Sequence, residues 1–192
     1  MRKTHKSPDA RLEELVRKQR ARISPLDSQA DQRWLLVDVA GQRLALVEGE
    51  RIILVKPVST ARAGIDCRQD SGGTPDGLHR IARKIGDNEE WGTEFSSRRP
   101  TGRRWSPDEL QRGEADDQGD LILTRILTLE GLDPGHNQGP GVDSLERYIY
   151  IHGTNHEKQI GAPVSHGCIR LTNDDVMELF EKMEPGDPVV IV

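Results

Sequence analysis

The chain has 192 residues, enough for one domain with long loops and short of two ordinary ones. No run nears ~18 consecutive apolar residues, and there are two cysteines, Cys67 and Cys168, so a membrane-spanning helix and a disulfide scaffold are both excluded. The first 24 residues hold eight Lys/Arg against three Asp/Glu, a net of +5, and the whole chain carries −5, which leaves −10 on an aromatic-poor remainder unsuited to binding nucleic acid.

Met1 to Lys6 is basic, but no apolar stretch of ~7–15 residues follows it. That pattern sets the expectation of a cytoplasmic protein, or a periplasmic one if a leader has been removed. Leu12, Leu15, Val16 and Gln19 recur at helical spacing, so residues 11–22 read as a short amphipathic helix. Its charges read as a solvated face. Residues 24–32 read as a polar linker, which makes 1–32 a basic extension.

From residue 33 the pattern changes. Residues 34–39, 43–47 and 51–58 are three short apolar runs separated by Gly turns, a β-meander. Residues 77–85 read as a fourth strand. Residues 86–119 are polar and rich in Gly, Pro and charge, an insertion that reads as a lid or an unstructured loop. Strands are expected at 120–129 and 147–151, with a Gly/Pro loop at 132–141 between them. Thr172 is a plausible N-cap with acidic residues in the first turn behind it. Val176, Leu179, Phe180 and Met183 then make an apolar helical face. Pro185-Gly186 stops that helix, and 189–192 is a last strand. Residues 33–192 are thus expected to be one mainly β domain, a mostly antiparallel sandwich or barrel with one or two short helices.

The reactive residues concentrate in Ser165-His166-Gly167-Cys168-Ile169-Arg170-Leu171. A cysteine nucleophile needs a base and backbone N–H donors for the oxyanion. His152 and His166 are both candidate bases, Gly167 leaves room for a carbonyl, and Arg170 is a nearby cation. Two other readings stand beside catalysis. Cys168 could be an ordinary buried thiol. Alternatively, His152, His156, His166 and Cys168 could make zinc ligands of a non-catalytic β-module, although their spacing matches no common zinc pattern. Cys67 has no histidine near it in sequence and reads as inert.

These residues also resemble a family. Tyr150-Ile151-His152-Gly153-Thr154, followed by Ile160-Gly161 and then Ser165-His166-Gly167-Cys168, is similar to the signature of the YkuD-type L,D-transpeptidase catalytic domain. Val58-Ser59-Thr60, Thr74-Pro75-Asp76-Gly77 and the Pro185-Gly186-Asp187-Pro188-Val189 ending resemble further pieces of it. The likeness runs from about Trp34 to Val192. It departs at Ala61, where the family usually has Gly, in the insertion before Thr74, and in the length of 86–119.

The resemblance implies a cysteine acyltransferase of peptidoglycan metabolism that needs no metal or cofactor. Its substrate would be the bond between the position-three diamino acid and D-Ala of a tetrapeptide stem. Cys168 would be the nucleophile and His152 the proton carrier, oriented by the Gly153 carbonyl. His166 and Gly167 would shape the pocket, with the N–H groups of Gly167 and Cys168 as oxyanion donors. Ser165 and Arg170 would bind substrate, Arg170 through a carboxylate or else as a structural ion pair. The acceptor would be a second stem, giving a cross-link. The alternative acceptor is water, which would make the chain a cytoplasmic L,D-carboxypeptidase of wall recycling.

Overall fold

The run Trp34-Leu35-Leu36-Val37 has no polar alternation, the pattern of a strand covered on both faces. The structure, a computed structural model describing residues 8–23, 33–107 and 119–192, shows both coverings. Leu35 and Val37 join the main core. Trp34 and Leu36 join a second, smaller core.

That smaller core lies under helix α1 (Pro8–Ile23), whose Leu12, Val16 and Ile23 are buried against the back of strands β1 (Arg33–Asp38) and β2 (Arg43–Glu48). The helix is therefore more than a solvated extension. Arg11 donates to both oxygens of buried Asp38, at 2.8 and 2.9 Å, and Arg22 pairs with Asp133. Burial alone would raise the Asp38 carboxyl, but Arg11 and the Gly41 N–H hold it below its ordinary value. The basic helix thus sits on the acidic body. The linker expected at 24–32 lies outside the described residues.

Strand β3 (Arg51–Pro57) completes the expected meander. Then follow β4 (Gly77–Ile85), β5 (Thr93–Ser96), β6 (Arg99–Arg104), β7 (Ile122–Gly131), β8 (Tyr150–Gly153), β9 (Ile169–Leu171), helix α2 (Asn173–Lys182) and β10 (Pro188–Ile191). The sheet runs β3-β2-β1-β10-β4-β7-β5-β6, with β8 also on β7 and β9 on β8. The molecule is mainly β, as expected, but the sheet is mixed. Two pairs, β1–β10 and β8–β9, are parallel. Helix α2 lays Val176, Leu179, Phe180 and Met183 on the main core. Its N-cap is Thr172, whose hydroxyl accepts from the Asp175 N–H at 3.1 Å.

The polar insertion includes regular structure among its described residues. Residues 93–104 form the β5–β6 hairpin, and β5 pairs with the start of β7. Its tip residues Ser97 and Arg98 both have positive φ, as a type I′ turn requires, without the usual Asn-Gly. Arg98 is held there by donating to Tyr150 Oη at 2.8 Å and Leu145 O at 2.6 Å. Residues 108–118 lie outside the described residues. No helix among the described residues is long and apolar enough to cross a membrane.

Candidate active site

Strands β8 and β9 are short, parallel and in register, with Ile151 opposite Ile169 and His152 opposite Arg170. Ile151, Ile169 and Leu171 point into the core under α2. Side chains alternate along a strand, so Tyr150, His152 and Arg170 point to the other face. Cys168 stands one residue before β9, level with Tyr150, and packs beside Tyr150 on that face. His152 is thus the diagonal neighbour of Cys168 on one rigid two-strand platform. A parallel pair needs a crossover of a dozen or more residues, and residues 154–168 supply it.

Burial sets the protonation of both groups. The thiol donates toward Tyr148 O at 3.4 Å. Burial pushes it up to about 12, against the Tyr150 N–H, which pulls it down. The residue nonetheless keeps part of its surface accessible. His152 is almost fully buried, and desolvation lowers its pKa, so the imidazole is neutral. Its Nδ1 lies 2.7 Å from Gly153 O, which assigns the proton to Nδ1 and leaves the Nε2 lone pair as acceptor. Gly153 tolerates no side chain, because a Cβ would stand 2.4 Å from Asn173 Oδ1 and 2.8 Å from Leu123 O.

The turn before Cys168 is braced from within. Ser165 is buried, donates to Cys168 O at 2.6 Å, and accepts the Gly167 N–H at 3.3 Å. It is a buried strut of the turn, which does not suit the substrate contact expected of it. The Gly167 N–H, expected as an oxyanion donor, is engaged by that hydroxyl. Gly167 has φ +132, and a Cβ there would press on Ile149 and on Gly73 O. Its carbonyl accepts from Thr74 Oγ1 at 2.9 Å, and the same hydroxyl accepts the Ala61 N–H. The Ser59 backbone bonds to Arg170 in both directions. Ser59 and Thr74 therefore brace the turn that carries Cys168.

Arg170 is buried, which does not suit the expected carboxylate clamp. Its guanidinium donates to Asp120 Oδ1 at 2.9 Å and Ser59 Oγ at 3.2 Å, and approaches His156 Nδ1 at 3.4 Å. This is the ion-pair arrangement. His166 is exposed, with Nδ1 3.7 Å from Asp120 Oδ2. His156 joins Arg170, so the four residues of the zinc alternative do not form a ligand cluster among the described residues.

Sequence reasoning missed three residues. Asp120 pairs with Arg170, and its charge raises the pKa of both His152 and Cys168. It opens the stretch expected as a strand at 120–129, but that strand begins at Ile122, and nothing local marks the carboxylate as the partner of Arg170. Arg147 donates to Asp66 O, Ser71 Oγ and Gly73 O, and its charge lowers the Cys168 pKa. Tyr148 presents its carbonyl to the thiol from a left-handed backbone, φ +59, which also delays β8 to Tyr150 from the expected start at 147. Only the folded contacts reveal these roles. Cys67, expected to be inert, does have a histidine near it in space, His136.

Comparison with known proteins agrees with this architecture. Residues 32–191 match the YkuD family, described as the L,D-transpeptidase catalytic domain. The chain is 30% identical over 118 residues to the probable L,D-transpeptidase YbiS of Escherichia coli K12, covering 62% of this chain and 36% of that protein. It is 51% identical over 73 residues to the putative L,D-transpeptidase YqjB of Bacillus subtilis, covering 35% and 42%. The matched stretches thus span well under half of those relatives. A crystal structure of L,D-transpeptidase 3 from Mycobacterium tuberculosis superposes with a TM-score of 0.51 at 16% identity, covering 84% of this chain and 61% of that one. That likeness speaks to the fold. With the family matched from residue 32 to residue 191, the chain belongs to the YkuD family of L,D-transpeptidase catalytic domains.

Proposed function

We propose that the chain is a cysteine acyltransferase acting on the bond between the position-three diamino acid and D-Ala of peptidoglycan tetrapeptide stems. The observation that carries the reading is the placement of Cys168 diagonal to His152 on the β8–β9 platform, where burial favours the neutral form of both. A neutral pair of this kind transfers its proton during attack. His152 Nε2 takes the thiol proton as sulfur bonds to the carbonyl carbon, giving a tetrahedral oxyanion. With the Gly167 N–H engaged, the Cys168 N–H is the assigned oxyanion donor. Collapse breaks the C–N bond, and the imidazolium returns the proton to the departing D-Ala amine. The thioester is then attacked by the amine of a second stem. That amine loses a proton through His152, and the thiol is restored.

Several features support a substrate side beyond Tyr148. Its ring is exposed, Arg98 stacks on it at 4.5 Å, and a hollow of about 390 Å³ is lined by Arg98, Leu145, Glu146 and Tyr148. Arg98 is the cation we assign to a stem carboxylate, in place of Arg170. Nothing in the comparisons supports the alternative of a recycling carboxypeptidase.

The test is mass spectrometry of the protein and products with a purified tetrapeptide stem. The expected results are an acyl-enzyme on Cys168, released D-Ala, and a dimer joined between position-three residues. Absence of the adduct with unchanged stem would overturn the acyltransferase reading. Tripeptide without dimer, at high stem concentration, would overturn the assignment of the acceptor.

A further inference from the structure

Away from the nucleophile, three side chains of different chemistry meet. Cys67 Sγ lies 3.5 Å from His136 Nε2 and 3.5 Å from Asp76 Oδ1, and the last two are 2.8 Å apart. Cys67 and His136 are 69 positions apart in the chain, so the fold assembles this cluster. Among the described residues it is the group of His, Cys and carboxylate ligands whose donor atoms all lie within 4.8 Å of one another.

The spacing can be compared with a metal's demands. A tetrahedral zinc ion, with Zn–S about 2.3 Å and Zn–N and Zn–O about 2.0 Å, sets S···N and S···O edges of about 3.5 Å and an N···O edge of about 3.3 Å. Two of the three edges already have that length. The third must open by about 0.5 Å, and its two side chains are the movable ones. Those of His136 and Asp76 are 51% and 36% exposed, whereas Cys67 is buried. The same exposure gives an ion a way in and leaves a fourth position for water. A thiol so enclosed is poorly placed to attack a peptide carbonyl, which argues against a second nucleophilic site.

We propose that Cys67, Asp76 and His136 form a binding site for a divalent ion of the zinc class, with water as the fourth ligand. Loading exchanges the Cys67 S–H proton for the metal and replaces the His136–Asp76 hydrogen bond. The neighbours favour a fixed cage. Asn137 Nδ2 donates to Asp76 O at 2.9 Å, and Arg147 donates to Gly73 O at 2.8 Å. The ion would pin both ends of the 67–76 loop to the turn carrying His136. That loop bears Thr74, whose hydroxyl braces Gly167 one residue before the nucleophile. The site would therefore be a staple behind the catalytic turn, separate from the acyl-transfer chemistry.

The full-length protein, stripped with EDTA and dialysed, is titrated with zinc chloride by calorimetry and with cobalt chloride by absorption. Wild type and Cys168→Ala are expected to bind one equivalent of zinc and to show a thiolate-to-cobalt charge-transfer band. Cys67→Ser should lose that band. His136→Ala and Asp76→Asn should each weaken zinc by more than about 100-fold, since losing even an outer-shell partner costs 10–100-fold. His136 is a surface residue, so its variant should melt like wild type in EDTA and differ when zinc is added. No stoichiometric zinc in wild type would overturn the proposal. So would affinity unchanged by His136→Ala and Cys67→Ser, or a cobalt band lost in Cys168→Ala. Because Cys168→Ala must retain the metal, the outcome is independent of the proposed acyl transfer.

Discussion

A thiol near 12 beside a neutral imidazole is a resting state without charge separation. Burial disfavours thiolate and imidazolium alike, so the ion pair has no reason to form before substrate arrives. Alkylation of Cys168 by iodoacetamide should therefore accelerate with pH up to at least about 10, because the thiolate fraction keeps growing below the pKa. A rate plateau below pH 8 would show a preformed thiolate. The acid limb has the opposite origin. The His152 pKa is lowered, so its base form persists below the ordinary histidine value of about 6.5, and kcat/KM should hold at pH 6.5 and fall only in more acid solution. His152→Ala should cost about 10²–10⁴-fold in kcat. Arg170 makes a different prediction. It is buried against Asp120, and breaking a buried pair costs about 3–5 kcal/mol. Because Asp120 stays partly exposed, Arg170→Ala should lose about 3 kcal/mol in urea unfolding. The KM of the remaining folded enzyme should stay near wild type. A large rise in KM with unchanged stability would return Arg170 to the substrate.

At the scale of elements, Asn173 ties together the segments that meet around Gly153, the residue after His152. Its Oδ1 accepts from Thr124 Oγ1 at 2.5 Å, and its Nδ2 donates to Thr154 O at 3.0 Å and Glu157 Oε1 at 2.8 Å. Helix α2, the irregularity in β7 and the end of β8 are thereby joined around Gly153. Gly153→Ala must displace Asn173 or the β7 backbone, and should lower both stability and kcat. Thr172→Ala removes only the α2 cap and should cost about 1 kcal/mol with kcat retained. Circular-dichroism melts and kinetics on both variants separate the two effects. These elements also mark what can be read from residues alone. β1 to β4, β7, β10 and α2 announce themselves by apolar runs or helical spacing. β6 could not, because Arg99-Pro100-Thr101-Gly102-Arg103-Arg104 is exposed throughout and carries Pro and Gly on a sheet edge. β9 has three residues, too few for a period. Cys168 and His152 were visible through their motif, whereas Asp120, Arg147 and the Cys67–His136 encounter depend on long-range packing that no local pattern records.

Across the whole molecule, the layer beneath α1 forms a core of its own, distinct from the main core and from the cluster around Tyr150 and Cys168. Leu12, Val16 and Ile23 cover Trp34, Leu36, Ala45, Val47 and Val190, and the Trp34 indole N–H is satisfied by Gly49 O at 3.2 Å. The β8–β9 platform hangs on β7, which reaches this layer through β4 and β10. Truncating Leu12 leaves a cavity in the smaller core while every hydrogen bond described around Cys168 and His152 remains possible. Leu12→Ala should therefore cost about 2–5 kcal/mol of stability, the usual scale for a buried leucine. The effect belongs to the folded fraction's size and not to its chemistry. Measured well below the melting temperature, kcat and the pH dependence of Cys168 alkylation should match wild type, while the urea midpoint falls. A variant with an unchanged midpoint would show that α1 packs too loosely to contribute a core. A variant with an altered alkylation profile would show that the back layer reaches through β10, β4 and β7 to set the electrostatics of the site.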